Sequence, residues 1–112
     1  MTVCGPGDVA IVPFPFTDIA VAKRRPALAL SARDANDVNG ATLFAMITTA
    51  QRSRWPSDFL LSDGDMAGLA AISIVRLKLF TLDNRLVSRV IGRLAPHDRA
   101  SVRKMLKAVV AI

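Results

Sequence analysis

The chain has 112 residues, 52% hydrophobic and 21% charged, a size and composition for one folded domain and not for disorder. Fifteen Lys and Arg against nine acidic residues, all Asp, leave a net charge of +6, which points to a polyanionic partner, with nucleic acid ahead of an anionic membrane or an acidic protein. One Cys, one His and no Tyr exclude a disulfide scaffold and a Cys/His zinc site, and leave few candidates for a general base near neutral pH.

Eleven of the fifteen basic residues are Arg. Arg grips phosphate with a planar fork, although coding bias toward Arg and Ala yields the same excess. No stretch approaches the roughly 18 apolar residues that would span a bilayer, and no apolar signal segment opens the chain. Cys4 is then a lone thiol in a reducing cytoplasm, with no assigned role.

The first predicted element is a strand from Asp8 to Phe14, with Val9 and Ile11 alternating with Ala10 and Val12. Pro13 and Pro15 end it in a bent, extended stretch. Thr17 to Lys23 reads as a loop. A second strand is expected over Ala27 to Arg33 and a third over Thr42 to Thr49, joined as a hairpin with a wide tip around Asn39-Gly40. Trp55-Pro56 breaks the chain before a short strand at Phe59 to Leu61. Ser62 to Gly68 is a turn-rich connector. Ile72 to Leu82 and Arg89 to Leu94 are further strands, separated by a turn at Asp83-Asn84.

Pro96 opens the one convincing helix, where its missing N–H costs nothing. Asp98 in the first turn, and Lys104 and Lys107 later, suit the helix dipole. Val102, Met105, Leu106, Val109 and Val110 form the apolar stripe, with Arg99, Arg103, Lys104 and Lys107 opposite. Short strands closed by one helix suggest a small, mainly β (α+β) barrel.

Lys23-Arg24-Arg25 is the densest basic run and lies where a loop re-enters a sheet. Most such runs are solvated faces. Here Pro26 restricts Arg25 to extended backbone, which lowers the entropy lost when it grips a ligand. Thr48 and Thr49 end the third strand, and Gln51, Arg52 and Arg54 follow at once. Hydroxyls, an amide and two guanidiniums crowded into one loop suit contacts to phosphate and base, although Thr is also an ordinary strand residue. Trp55 can stack on an unpaired base, but a sole Trp reads first as core or interface filler. Asp58, Asp63 and Asp65 read as turn chemistry and not as a metal site. His97 reads as a surface residue.

Taken in order, Gly7-Asp8-Val9, Val12-Pro13-Phe14-Pro15-Phe16-Thr17-Asp18 and Lys23-Arg24-Arg25-Pro26-Ala27-Leu28 resemble the PemK/MazF family of type II toxin–antitoxin toxins. Ile47-Thr48-Thr49, Trp55-Pro56-Ser57-Asp58, Ala67-Gly68-Leu69, Ile91-Gly92 and the terminal helix extend the likeness over nearly the whole chain. The resemblance implies an SH3-like barrel of five to seven strands with a C-terminal helix packed against it, forming a homodimer in the bacterial cytoplasm. It implies a metal-independent, cofactor-free endoribonuclease that cuts single-stranded RNA, mostly mRNA, at short sequences. It also implies a cognate antitoxin that covers the RNA groove and binds DNA together with the toxin. The family's catalytic Arg falls on Arg25. Its catalytic Thr falls on Thr48, with Thr49 the alternative one residue on. Lys23, Arg24, Thr49, Gln51, Arg52 and Arg54 are then RNA-binding candidates.

Such chemistry needs few bases, because RNA carries its own nucleophile in the 2′-hydroxyl. Two other uses of the same barrel compete. One is a gyrase-poisoning toxin of the CcdB branch, which tends to carry a Trp near its C-terminus; this chain ends Val109-Val110-Ala111-Ile112. The other is an RNA-binding barrel without catalysis.

Overall fold

Apolar alternation produces six strands, and the hydrogen bonds between them make one antiparallel sheet. The computed structural model describes residues 1–14, 23–50 and 55–112. In chain order the elements are β1 (Asp8–Pro13), β2 (Arg24–Ala29), α1 (Arg33–Asn39), β3 (Ala41–Thr49), β4 (Phe59–Leu60), β5 (Ser73–Asp83), β6 (Arg89–Arg93) and α2 (Pro96–Val109). The strands lie in the order β4-β5-β3-β2-β1-β6, so β4 and β6 are the edges. The sheet curls into a half-barrel, and its axes of 31, 31 and 29 Å are nearly equal.

Alternation along each strand sends side chains to two faces, each with its own core. Ala10, Val12, Phe14, Ala27, Ala29, Phe44, Phe80 and Leu82 pack on one face, with Met46 against them. Val9, Leu28, Ala45, Ile47, Val75 and Leu77 pack on the other, where α2 adds Val102 and the connector adds Ala67. Val9, Ala10 and Val12 are all buried, so β1 is covered on both faces. A two-residue register slip on β5, between the pairs Ala45–Leu79 and Met46–Arg76, re-aims its second half.

The connector after β4 meets the edge strand β6 backbone to backbone. The Met66 carbonyl accepts a hydrogen bond from the Arg93 N–H at 3.1 Å. A Cβ on Gly92 would come within 2.4 Å of the Ala67 carbonyl carbon, and one on Gly68, which sits at φ 76°, within 2.2 Å of the Ile91 oxygen. Only glycine permits that approach. Asp98, fully buried in the first turn of α2, ties the helix to the same connector. Its carboxylate accepts from the Ser62 N–H at 3.0 Å, the Ser62 hydroxyl at 2.6 Å and the Asp63 N–H at 3.0 Å. Burial works against its charge, but these hydrogen bonds outweigh it and hold the carboxyl below the usual carboxylate range.

Three expectations need correction. The segment between the second and third strands is not a hairpin tip but the seven-residue helix α1, with Gly40 as its left-handed cap at φ 69°. A glycine at positive φ serves a helix end as well as a turn. Two of the polar residues that read as turn signals, Asn36 and Asn84, are buried linkers, whereas Asp37 and Asn39 are exposed. Asn36 donates to the Cys4 carbonyl at 2.8 Å, Asn84 donates to the Asn36 carbonyl at 2.9 Å, and Thr42 donates to Asn84 at 2.8 Å. Second, β2 begins at Arg24 and ends at Ala29, three residues earlier than expected at its start, because pairing with β1 accommodates Pro26 opposite Ile11. Third, the apolar stripe of α2 is buried only in part. Val102 is covered and Met105 and Leu106 are half-covered, whereas Val109 and Val110 are exposed.

Candidate functional site

The site grows from a proline. Pairing of β2 with β3 runs through Ala29–Phe44, Leu28–Ala45 and Ala27–Met46 and stops there, next to Pro26. A proline nitrogen has no hydrogen to donate to a ladder. Continued by two residues, the same register sets Arg25 across from Thr48. Both belong to the face that carries Phe14 and Met46. Val12, which packs on that face, is the β1 partner of Arg25.

Arg25 is half-buried, with its guanidinium carbon 5.9 Å from the centre of the Phe14 ring. Among the described residues, no carboxylate lies within ion-pair distance of it, although Arg33 and Arg93 pair with Asp8, Arg76 with Asp58 and Arg85 with Asp83. A guanidinium braced by an aromatic ring, with its charge uncommitted, is suited to an incoming anion. Thr48 is half-buried beside Ile74 of β5, and its hydroxyl is a hydrogen-bond donor on the same face.

The other expected residues divide. Lys23 is exposed just before β2, and its carbonyl accepts from the Phe14 N–H at 2.9 Å. Arg24 alternates to the face opposite Arg25 and donates to the Ser88 hydroxyl. There it borders a cleft of about 440 Å³ lined also by Pro13, Arg85, Val87 and Ser88. Thr49, exposed and paired with Ser73, also falls opposite the Arg25 face. The contiguous basic run and the Thr pair are therefore each split between two faces. Gln51, Arg52 and Arg54 lie outside the described residues, as does most of the expected Thr17 to Lys23 loop.

Sequence reasoning missed one assembly beside this pair. Arg76 is the register partner of Met46, so it shares the face of Arg25 and Thr48. It donates from Nε and Nη2 to the two oxygens of Asp58, at 3.0 and 2.9 Å. Those hydrogen bonds raise its pKa above the ordinary arginine value and keep it charged. Trp55 lies over that guanidinium, 5.3 Å from ring centre to carbon, and is 42% exposed. Trp55 is therefore not core filler, because the cation beneath it holds the ring at the surface. Asp58 does more than shape a turn, whereas Asp63, accepting from the Met66 N–H at 3.0 Å, has the turn role expected of it. His97 is exposed, as expected. The signal for the assembly was present in Trp55-Pro56-Ser57-Asp58, but its partner Arg76 lies 18 residues from Asp58. Among the described residues, no helix is long and apolar enough to cross a membrane.

The curled six-stranded sheet with its closing helix is a fold shared with solved proteins over nearly the whole chain. MazF of Deinococcus radiodurans is similar over 100% of both chains, with 23% identity and a TM-score of 0.76. The MazE–MazF complex from the same organism matches over 99% of both chains, with 22% identity and a TM-score of 0.78. An endoribonuclease in complex with its cognate antitoxin, from a mycobacterial species, matches over 100% of this chain and 97% of its own, with 16% identity and a TM-score of 0.75. No curated protein matches the sequence significantly. Residues 5–110 match the family described as PemK-like, MazF-like toxin of type II toxin-antitoxin system, and the chain belongs to that family.

Proposed function

We propose that this protein is the toxin of a type II toxin–antitoxin module and acts as a sequence-specific, metal-independent endoribonuclease on single-stranded RNA, chiefly mRNA. The observation that carries the reading is that Arg25, which pairs with no carboxylate among the described residues, shares one face of the sheet with Thr48. The 2′-hydroxyl beside the scissile phosphate attacks phosphorus in line, and the 5′-oxygen leaves. Arg25 donates two N–H groups to the phosphate oxygens and neutralises the charge that builds on them. Thr48 donates a third hydrogen bond to the same centre. Arg25 acts as an electrostatic clamp and not as a base, since guanidinium keeps its proton in a protein. The products are a 2′,3′-cyclic phosphate and a free 5′-hydroxyl, and the need for a 2′-hydroxyl selects RNA over DNA. Thr48 is preferred to Thr49 because strand alternation turns Thr49 away from Arg25.

The family and the MazE–MazF neighbour support an antitoxin partner and a homodimer for this chain as well. In this reading an acidic antitoxin segment competes with RNA for Lys23, Arg24 and Arg52, and the toxin–antitoxin pair binds DNA. Purified protein incubated with a long single-stranded RNA in EDTA tests the reaction. Fragments should carry 2′,3′-cyclic phosphate and 5′-hydroxyl ends by mass spectrometry, and the antitoxin should suppress them. Intact RNA, or 5′-phosphate ends, would count against it.

A further inference from the structure

Trp55 is the only Trp in a chain without Tyr, and Asp58 and Arg76 hold it in place. The Asp58 carboxylate accepts the Trp55 backbone N–H at 2.9 Å and, with both oxygens, fixes Arg76 beneath the ring. The side chains of Arg76 and Asp58 are only 12% and 5% exposed, so the support is inside the protein. The ring above it is 42% exposed. A large aromatic left open at the surface yet held from below gains little stability from its exposed part and loses little freedom on binding. Its location is specific as well. Through Arg76 and Met46 it stands on the face that carries Arg25 and Thr48.

We infer that Trp55 is a stacking platform for an unpaired base of the RNA next to the scissile phosphate, with Arg76 and Asp58 as positioning residues for the ring. This rests on the RNA-cleaving reading above. The cation and hydroxyl on the same face suit a nucleotide, whose base stacks while its phosphate meets Arg25. A single platform of this kind orients one nucleotide and so contributes to the choice of cut site.

The lone Trp makes the test direct, because all indole emission comes from position 55. The probes are an uncleavable 2′-O-methyl RNA 10-mer of mixed sequence and an abasic sugar–phosphate strand of the same length. The RNA should quench Trp55 emission and the abasic strand should not. Trp55→Ala should weaken RNA binding by about 5- to 150-fold, the range of one base–aromatic stack, and Trp55→Phe by much less. Neither change should alter binding of the abasic strand. Circular dichroism confirms the fold of each variant, and quenching of the unaltered protein is a readout that needs no variant. Equal quenching by both strands, or unchanged RNA affinity in Trp55→Ala, overturns the platform even if RNA is cleaved. Emission that shifts on dilution without RNA assigns the ring to a protein interface and overturns it too. Base-dependent quenching without cleavage of ordinary RNA leaves the platform standing and removes the nuclease.

Discussion

Replacing Arg25 separates chemistry from folding, because the structure assigns this side chain little of the latter. Its ring contact among the described residues, with Phe14 at 5.9 Å, is at the far end of cation–π range and contributes about 0.5–1 kcal/mol. No carboxylate among the described residues is left unpaired when it goes. For a domain of 112 residues, a change of that size shifts the melting temperature by roughly 4 °C. Loss of one donor to a developing oxyanion costs about 10²–10³ in rate. Arg25→Ala should therefore melt within a few degrees of the parent while cleaving a fluorogenic single-stranded RNA at least about a hundredfold more slowly. Arg25→Lys keeps the charge but loses the two-pronged geometry, and should recover little of the rate. Melting curves and initial rates on the same preparations decide it. A folded Arg25→Ala protein with parental activity refutes the clamp. A variant that unfolds refutes the claim that Arg25 is dispensable to the fold.

Thr48→Ala should lower cleavage by about 10²-fold and Thr48→Ser should restore most of it, whereas Thr49→Ala should change little; the reverse order would move the hydroxyl to Thr49. Folded Asp98 binds its proton less tightly than it does in the unfolded chain, so its contribution is complete above about pH 4 and is lost as pH falls through its lower folded pKa. Urea midpoints taken between roughly pH 6 and pH 2 should fall on the acid side, and Asp98→Asn should flatten that limb. Gly92→Ala places a Cβ 2.4 Å from the backbone of Ala67 and should cost about 1–3 kcal/mol by urea denaturation. At Gly64 the nearest atom to such a Cβ is 3.6 Å away, and Gly64→Ala should stay within about 0.5 kcal/mol.

The strands and the long helix were legible because each buries an apolar pattern of its own period. β1, β3, β5 and β6 lie within one or two residues of their expected bounds, and α2 starts at Pro96 as expected. α1 was not legible, because its only large apolar residue, Val38, is exposed. It is held instead by Asn36, whose partners Cys4, Ser31 and Asn84 are spread along the chain. A buried Asn and a turn Asn look alike until those partners are known. Arg25 and Thr48 could be singled out from Pro26, the basic run and the family resemblance. Their shared face required the β2–β3 register, which local sequence does not encode. Whether Trp55 enters a core depended in the same way on what lies below it, and that is Arg76 of β5, which local sequence does not name.

The carboxylate that joins α2 to the connector also bears on how the protein is made. All six strands have been synthesised once Arg93 is in place, yet two connector amides and a serine hydroxyl still await their acceptor, and one core still lacks Val102. During vectorial synthesis the core on that face of the sheet therefore remains incomplete until α2 docks. Those groups find their partners only through fourteen residues that contribute no strand at all.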